Sequence, residues 1–292
     1  MSDAVAPASL APRLTVNWRA LTPLLLVAPL VLFLLVFYAF PVVAMLLRSV
    51  AEPTWTLSNY VALAGDSVFL HVFWTTLRTA IAVTAGCLLL GFPVALTLAR
   101  PGRAASIALI VVLLPFWTSI LVRSYAWMVL LGRHGLLNEA LLTAGLIDRP
   151  LRILNTSIAV HIAMIHILLP YMILPIANVL RQIDPSLSRA ALGLGATPSS
   201  VFREIILPLS MPGVAAGVLL VFVLSLGFYI TPALVGGPRD MTVSMLIAQQ
   251  VDQLNWPYAA CLSTALLVVT LAIMALFQFA FGVGRALRVA ER

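Results

Sequence analysis

The sequence predicts an all-α polytopic membrane protein with six transmembrane helices and both termini cytoplasmic. Three observations carry that prediction. Of the 292 residues, 62% are hydrophobic and only 9% are charged, whereas a soluble domain has about a quarter of its residues charged. Six apolar stretches each reach the roughly 20 residues that cross about 30 Å of hydrocarbon. The basic residues, all of them arginine because the chain has no lysine, are biased toward the side that holds both chain ends, as the positive-inside rule expects of cytoplasmic segments. A formal charge of +7 thus speaks for topology in a lipid bilayer and not for nucleic acid.

Residues 1–20 read as a cytoplasmic tail, too long and too polar before the first apolar run for a cleavable signal. The spans expected next are Leu21–Leu47, Thr75–Ala99, Ala105–Leu131, Ser157–Leu180, Pro212–Val235 and Tyr258–Val283, within a permease domain of residues 21–283. The outer loops are Arg48–Trp74, Gly132–Thr156 and Gly236–Pro257; Trp55–Leu63 and His134–Ile147 read as short amphipathic pieces within the first two. Pro93, Pro115, Pro170 and Pro175 fall inside spans, where neighbouring helices satisfy the freed carbonyls. Pro212 opens the fifth span, and Gly213 and Gly217, four residues apart, permit close helix approach. Residues 284–292 form a second cytoplasmic tail.

One interior segment is unlike its apolar surroundings. Asp184–Pro208 carries both signs of charge and is punctuated as two short helices. Asp184 is placed to cap the first, with Pro185 in its first turn, where a missing N–H costs nothing. Gly195 fits the left-handed residue that ends it. Thr197 and Pro198 repeat the cap-and-proline signature for a second helix, expected to give out near Pro208. Between two spans such a pair makes a rigid cytoplasmic protrusion, suited to taking a push from a soluble partner.

The chain offers no catalytic constellation. His161 and His166 are five residues apart, on different faces of one helix, which suits packing or a helix–helix hydrogen bond better than shared metal ligation. Cys87 and Cys261 lie within apolar runs at no metal-site or disulfide spacing. No serine stands in a nucleophile-elbow context. Transport remains, and the energy source decides its type. Coupling-ion sites of secondary transporters use intramembrane acids or lysines, and no acid lies inside the six apolar runs. A phosphate-binding loop needs a lysine, which the chain lacks. Energy must come from another subunit through the protrusion; an ion-coupled carrier or channel acting alone is the alternative, and an assembly protein without flux a third reading.

Two clusters qualify as solute path or gate. Arg123 interrupts Pro115–Gly132 among Trp117, Tyr125 and Trp127: it either snorkels to the outer interface or shapes the outer mouth of a path. Phe228 and Tyr229 follow Gly227 and precede Thr231 and Pro232 in the fifth span, either packing or forming a gate where the helix loosens.

At the central segment the chain resembles the EAA loop of binding-protein-dependent ABC importer permeases. Arg189-Ala190-Ala191, then Gly195, Ile205 and Leu207-Pro208 stand at that loop's spacing. Position 189 departs, since the family has glutamate there and this chain has arginine. Leu114–Trp127, Ser225–Pro238 and Trp256-Pro257 are similar to the spermidine/putrescine permease subgroup. The resemblance implies a type I importer permease fold in a bacterial inner membrane and an ABC ATPase dimer docked on 184–208. It also implies a second permease subunit, a heterodimer in preference to a homodimer, and a periplasmic solute-binding protein. The cargo it implies is a small polar or cationic solute of the polyamine kind. ATP and magnesium belong to the ATPase, and this chain needs no cofactor or metal of its own.

Overall fold

The computed structural model describes residues 18–51 and 55–281. Every regular element among them is helical, because an apolar chain in hydrocarbon must satisfy its backbone within itself. The described residues divide into two compact units, the first ending at Arg48 and the second starting at Ser49. At the start of the described chain, α1 (Trp18–Leu34) runs through a π-turn (Leu35–Ala39) into α2 (Phe40–Ala51), whose last three residues belong to the second unit. Trp18, Arg19 and Ala20, the end of the expected N-terminal tail, are helical; the rest of that tail, and all of 284–292, lie outside the described residues.

The second unit continues with α3 (Ser58–Gly65), α4 (Ser67–Ala99), α5 (Arg103–Leu113), α6 (Ile120–Leu131), α7 (Leu136–Thr143) and α8 (Ser157–Gln182). It ends with α9 (Pro185–Gly193), α10 (Pro198–Val201), α11 (Leu207–Leu226), α12 (Ile230–Val235), α13 (Val243–Asp252) and α14 (Trp256–Phe281). Five helical stretches are long and apolar enough to span a membrane: Leu26–Ala51, Ser67–Ala99, Ser157–Gln182, Pro198–Leu226 and Trp256–Phe279.

The third expected span departs from expectation. It is not one helix over Ala105–Leu131 but two pieces bent by 103° between Trp117 and Ile120. Pro115 has no N–H for the ladder, and Thr118 turns its hydroxyl back onto the Pro115 carbonyl at 2.8 Å. Thr118 and Ser119 are then extended (ψ 141° and 142°). The second span also begins earlier than Thr75. Asp66 caps α4 through the Val68 N–H at 2.8 Å and accepts the Tyr258 hydroxyl at 2.7 Å, fastening α4 to α14. The Tyr258 bond, followed by the Val68 amide, holds the Asp66 carboxyl below its ordinary value.

Helices α4, α8 and α11 form the main core, where Val83, Met164, Met172, Ile176 and Val221 are fully buried. In a bilayer, water does not drive helices together, so close packing must. Gly213 and Gly217 supply it. A Cβ at Gly213 would lie 2.9 Å from the Pro175 carbonyl oxygen, and one at Gly217 3.0 Å from that of Met172. Arg181 adds a polar tie: its Nε and a terminal guanidinium nitrogen donate to the Leu98 carbonyl at 3.2 and 3.1 Å, capping the C-terminal end of α4. A smaller core of Leu63, Val72, Val243, Leu246 and Leu262 joins α3, α4, α13 and α14.

Candidate coupling protrusion and solute path

The protrusion has the expected punctuation. Asp184 Oδ1 accepts the Ser186 N–H at 2.8 Å, with Pro185 in the first turn of α9. The Ser186 amide, followed by its hydroxyl, keeps this exposed carboxyl below its ordinary value. At the other end Ala196 N–H reaches the Ala191 carbonyl and Gly195 N–H that of Leu192, both at 3.0 Å. Gly195 takes φ +89°, the left-handed residue of a Schellman cap. Thr197 Oγ1 then accepts the Ser200 N–H at 3.3 Å and starts α10 behind Pro198.

Pro208, however, does not end the second helix. The chain stays helical from Pro198 through Leu226, with a π-turn at Phe202–Ile206 in which Leu207 N–H reaches the Phe202 carbonyl. Widening the turn by one residue absorbs the N–H that proline lacks and avoids its clash with the preceding turn. Pro212 accordingly lies inside α11 and does not open it. The second arm of the protrusion is therefore the start of a spanning helix. Its base is anchored: Val201 is buried, and the Phe202 ring meets Phe92 of α4 edge-on at 6.0 Å.

Of the residues expected to couple, Arg189, Ala190 and Gly195 are exposed, Ala191 and Ile205 are half-buried, and Leu207 and Pro208 lie exposed at the start of α11. Leu187, Leu192 and Leu194 are exposed beside them, Leu194 to 90%. Sequence reasoning missed these leucines, although apolar side chains on a charged, polar segment were its available signal.

The path candidates gather at the two helix breaks. Trp117 is 90% exposed at the bend between α5 and α6, and Tyr125 is half-exposed on α6. Arg123 is half-buried in the first turn of α6, just after the bend. Its Nε is buried without a hydrogen-bond partner, and its charge is within reach of His166 and Tyr171, in the middle third of α8. Trp127 Nε1 donates to His166 Nδ1 at 3.2 Å, while His161 Nδ1 donates to its own helix at Ser157; the two histidines serve different partners. Phe116 packs on Tyr171 with ring centroids 5.0 Å apart.

Phe228 and Tyr229 lie in a non-helical step between α11 and α12, the former packed on the main core and the latter 45% exposed. Thr231 just beyond is buried and bonds Ser124 of α6 at 2.8 Å. Thus α6 and α12 meet, bringing the Arg123–Tyr125 and Phe228–Tyr229 segments onto neighbouring elements. They do not meet the protrusion, since the 20 residues of α11 intervene, about 30 Å of helix. Asn178, exposed on α8, shares a crevice of about 440 Å³ with Tyr171 and Arg181. A lone amide in an apolar run was its sequence signal.

Apolar helices of spanning length, interrupted by a capped polar protrusion and by two breaks lined with aromatics, are the build of a membrane-embedded transport component. Residues 88–286 match the family described as the binding-protein-dependent transport system inner membrane component. The chain belongs to that family, and it is a permease component of an ABC importer. It is 37% identical over 223 residues to the spermidine/putrescine transport system permease protein PotB of Salmonella typhimurium, covering 76% of this chain and 77% of that one. It is 36% identical over 247 residues to PotB of Haemophilus influenzae, covering 84% and 80%. The fold is also that of a bacterial alginate ABC transporter solved with an alginate-pentasaccharide-bound periplasmic protein, at a TM-score of 0.70 and 19% identity over 90% of this chain and 96% of that one.

Proposed function

We propose that this chain carries a polyamine-class solute, such as spermidine or putrescine, across a bacterial inner membrane into the cytoplasm as one of two different permease subunits. The likeness to spermidine/putrescine permeases over three quarters of the chain carries this reading. An ABC ATPase dimer, which holds ATP and magnesium, docks on 184–208, and a periplasmic solute-binding protein delivers the cargo. The bent α5–α6 pair counts as one span, so the six spans put both termini in the cytoplasm.

Mechanism follows from attachment. The protrusion continues without interruption into α11 and joins α8 at Ile183, and α8 and α11 pack at glycine distance. A displacement imposed on the protrusion therefore moves both helices together. The step at Gly227–Tyr229 lies at the far end of α11, where such a movement opens or shuts the aromatic gate. No acid lies in the core helices, so selection for a cation rests with the binding protein, with aromatics receiving the cation in passage.

The test is reconstitution of the chain with its partner permease and ATPase in proteoliposomes. ATP-driven uptake of labelled spermidine or putrescine, dependent on the binding protein, is the expected result. Flux without the ATPase removes the importer mechanism; ATP-driven uptake of other solutes but not polyamines removes the substrate alone.

A further inference from the structure

We propose that the cleft between the α4–α5 turn and the end of α8, lined by Arg100, Ser106 and Arg181, holds the phosphate of an anionic phospholipid, with an acyl chain of that lipid in the crevice that continues from it along α8. This goes beyond the importer reading and does not depend on it.

The head of the site is cationic. The cleft has a volume of about 340 Å³, and Arg100 and Arg181 line it together. Arg181 is fixed there by the bonds from its Nε and one terminal nitrogen to the Leu98 carbonyl, which leaves its second terminal nitrogen for another acceptor. Arg100 stands two residues beyond Leu98; it is exposed, and its side chain has no hydrogen bond or ion pair among the described residues. No acid is among the residues that line the cleft. The turn also keeps the start of α5 open. Gly102, at φ +137° with open space where a Cβ would lie, offers no side chain to cap that helix. Two guanidinium groups without a carboxylate between them bind phosphate through charge-assisted hydrogen bonds, and basic pockets between spanning helices take anionic headgroups.

What continues from the cleft tells a lipid from a free phosphate. Leu98, Leu109 and Arg181 also line the crevice of about 440 Å³, so the two spaces adjoin. Along α8 that crevice is lined by Arg181, Asn178, Leu174 and Tyr171, whose helical spacing puts them on one face. Their order is a polarity gradient. A fixed cation comes first, then an exposed amide with no side-chain partner among the described residues, then apolar surface shared with Leu220 of α11. A phospholipid presents phosphate, ester carbonyl and hydrocarbon in the same order, and the stretch from Arg181 to Tyr171 rises roughly 15 Å to receive it. A free phosphate would leave the amide and the apolar wall unused. Arg181 is three residues from Asp184, where the protrusion begins, so the bound headgroup sits at the root of the protrusion and ties it to the end of α4.

The experiment takes the full chain, purified in detergent with the subunits that copurify and stripped of lipid, and follows binding of added phosphatidylglycerol by native mass spectrometry. The wild type should bind it well above phosphatidylcholine, whose choline offsets the phosphate charge. Arg100→Gln should weaken binding about fivefold, the worth of one arginine beside an anionic headgroup. Arg152→Gln, which removes the same charge beyond the other end of α8, should leave it unchanged. Leu220→Trp, which keeps both arginines and fills the crevice, should weaken it as well. Equal affinities in Arg100→Gln and Arg152→Gln, whether both lost or both retained, overturn the proposal. Inorganic phosphate and glycerol phosphate should not displace the lipid; displacement by either, with Leu220→Trp binding like wild type, gives the cleft to a soluble phosphate and removes the lipid. Arg100 has no side-chain partner to lose, so its variant should melt as the wild type does; if it melts lower, the comparison with Leu220→Trp decides.

Discussion

At the scale of single residues, Gly195 separates conformation from contact. It holds φ +89°, and no atom lies within 4 Å of where its Cβ would be. A larger side chain thus meets no clash; its only cost is the left-handed backbone, about 1–2 kcal/mol for an ordinary residue. Asparagine tolerates that conformation and a β-branched residue does not. Gly195→Val should therefore distort the Schellman cap and leave ATP hydrolysis without matching uptake, whereas Gly195→Asn should stay close to wild type. Equal coupling ratios in the two variants would remove the left-handed cap from the mechanism. This residue was legible in the sequence because its reason is local, as were the caps at Asp184 and Thr197. Ser124 and Asn138 were not. Ser124 finds its partner Thr231 across 107 positions, and nothing in the composition around Asn138, which is fully buried and donates its Nδ2 to the Gly132 and Leu151 carbonyls, distinguishes it from a surface amide.

At the scale of elements, the α8–α11 pair decides whether the protrusion can move anything. A valine at Gly217 would set its Cβ 2.9 Å from Met172 Sδ and 3.0 Å from the Met172 carbonyl oxygen. The thioether can swing aside, but the carbonyl belongs to the helix, so the helices must part. Overpacking of this kind costs on the order of 1–3 kcal/mol. Gly217→Val should lower the melting temperature in detergent and abolish coupled uptake, while Gly193→Ala, which faces open space on the protrusion, should do neither. A melting curve unaltered by Gly217→Val would mean that the contact is not what joins the two helices. The small-residue spacing announced this contact, and hydrophobic length announced the helices. Neither revealed the bend after Pro115 or the π-turn before Pro208. Both depend on how a proline is accommodated, by breaking the ladder in one case and widening it in the other. Apolar run length is blind to that choice.

At the scale of the whole molecule, the reading depends on which side of the membrane each end of α8 faces. The 26 residues of this helix, about 39 Å of rise, separate the loop at Arg152 from the protrusion at Arg189. Arginine occurs at both ends, so charge alone leaves the sidedness to the bias of the remaining loops. The protein is well suited to a direct test because its two cysteines, Cys87 and Cys261, are both fully buried and should give little background with a membrane-impermeant maleimide. Leu146, 72% exposed beyond α7, and Leu194, 90% exposed on the protrusion, are free to accept a reporter. In intact spheroplasts Leu146→Cys should label and Leu194→Cys should not; inside-out vesicles should reverse the pattern. Assembly with the ATPase should then shield Leu194→Cys, because the partner covers the apolar tip formed with Leu187 and Leu192. Labelling of Leu194→Cys from the outside would place the protrusion away from ATP, and no packing argument about α8 and α11 could restore the coupling.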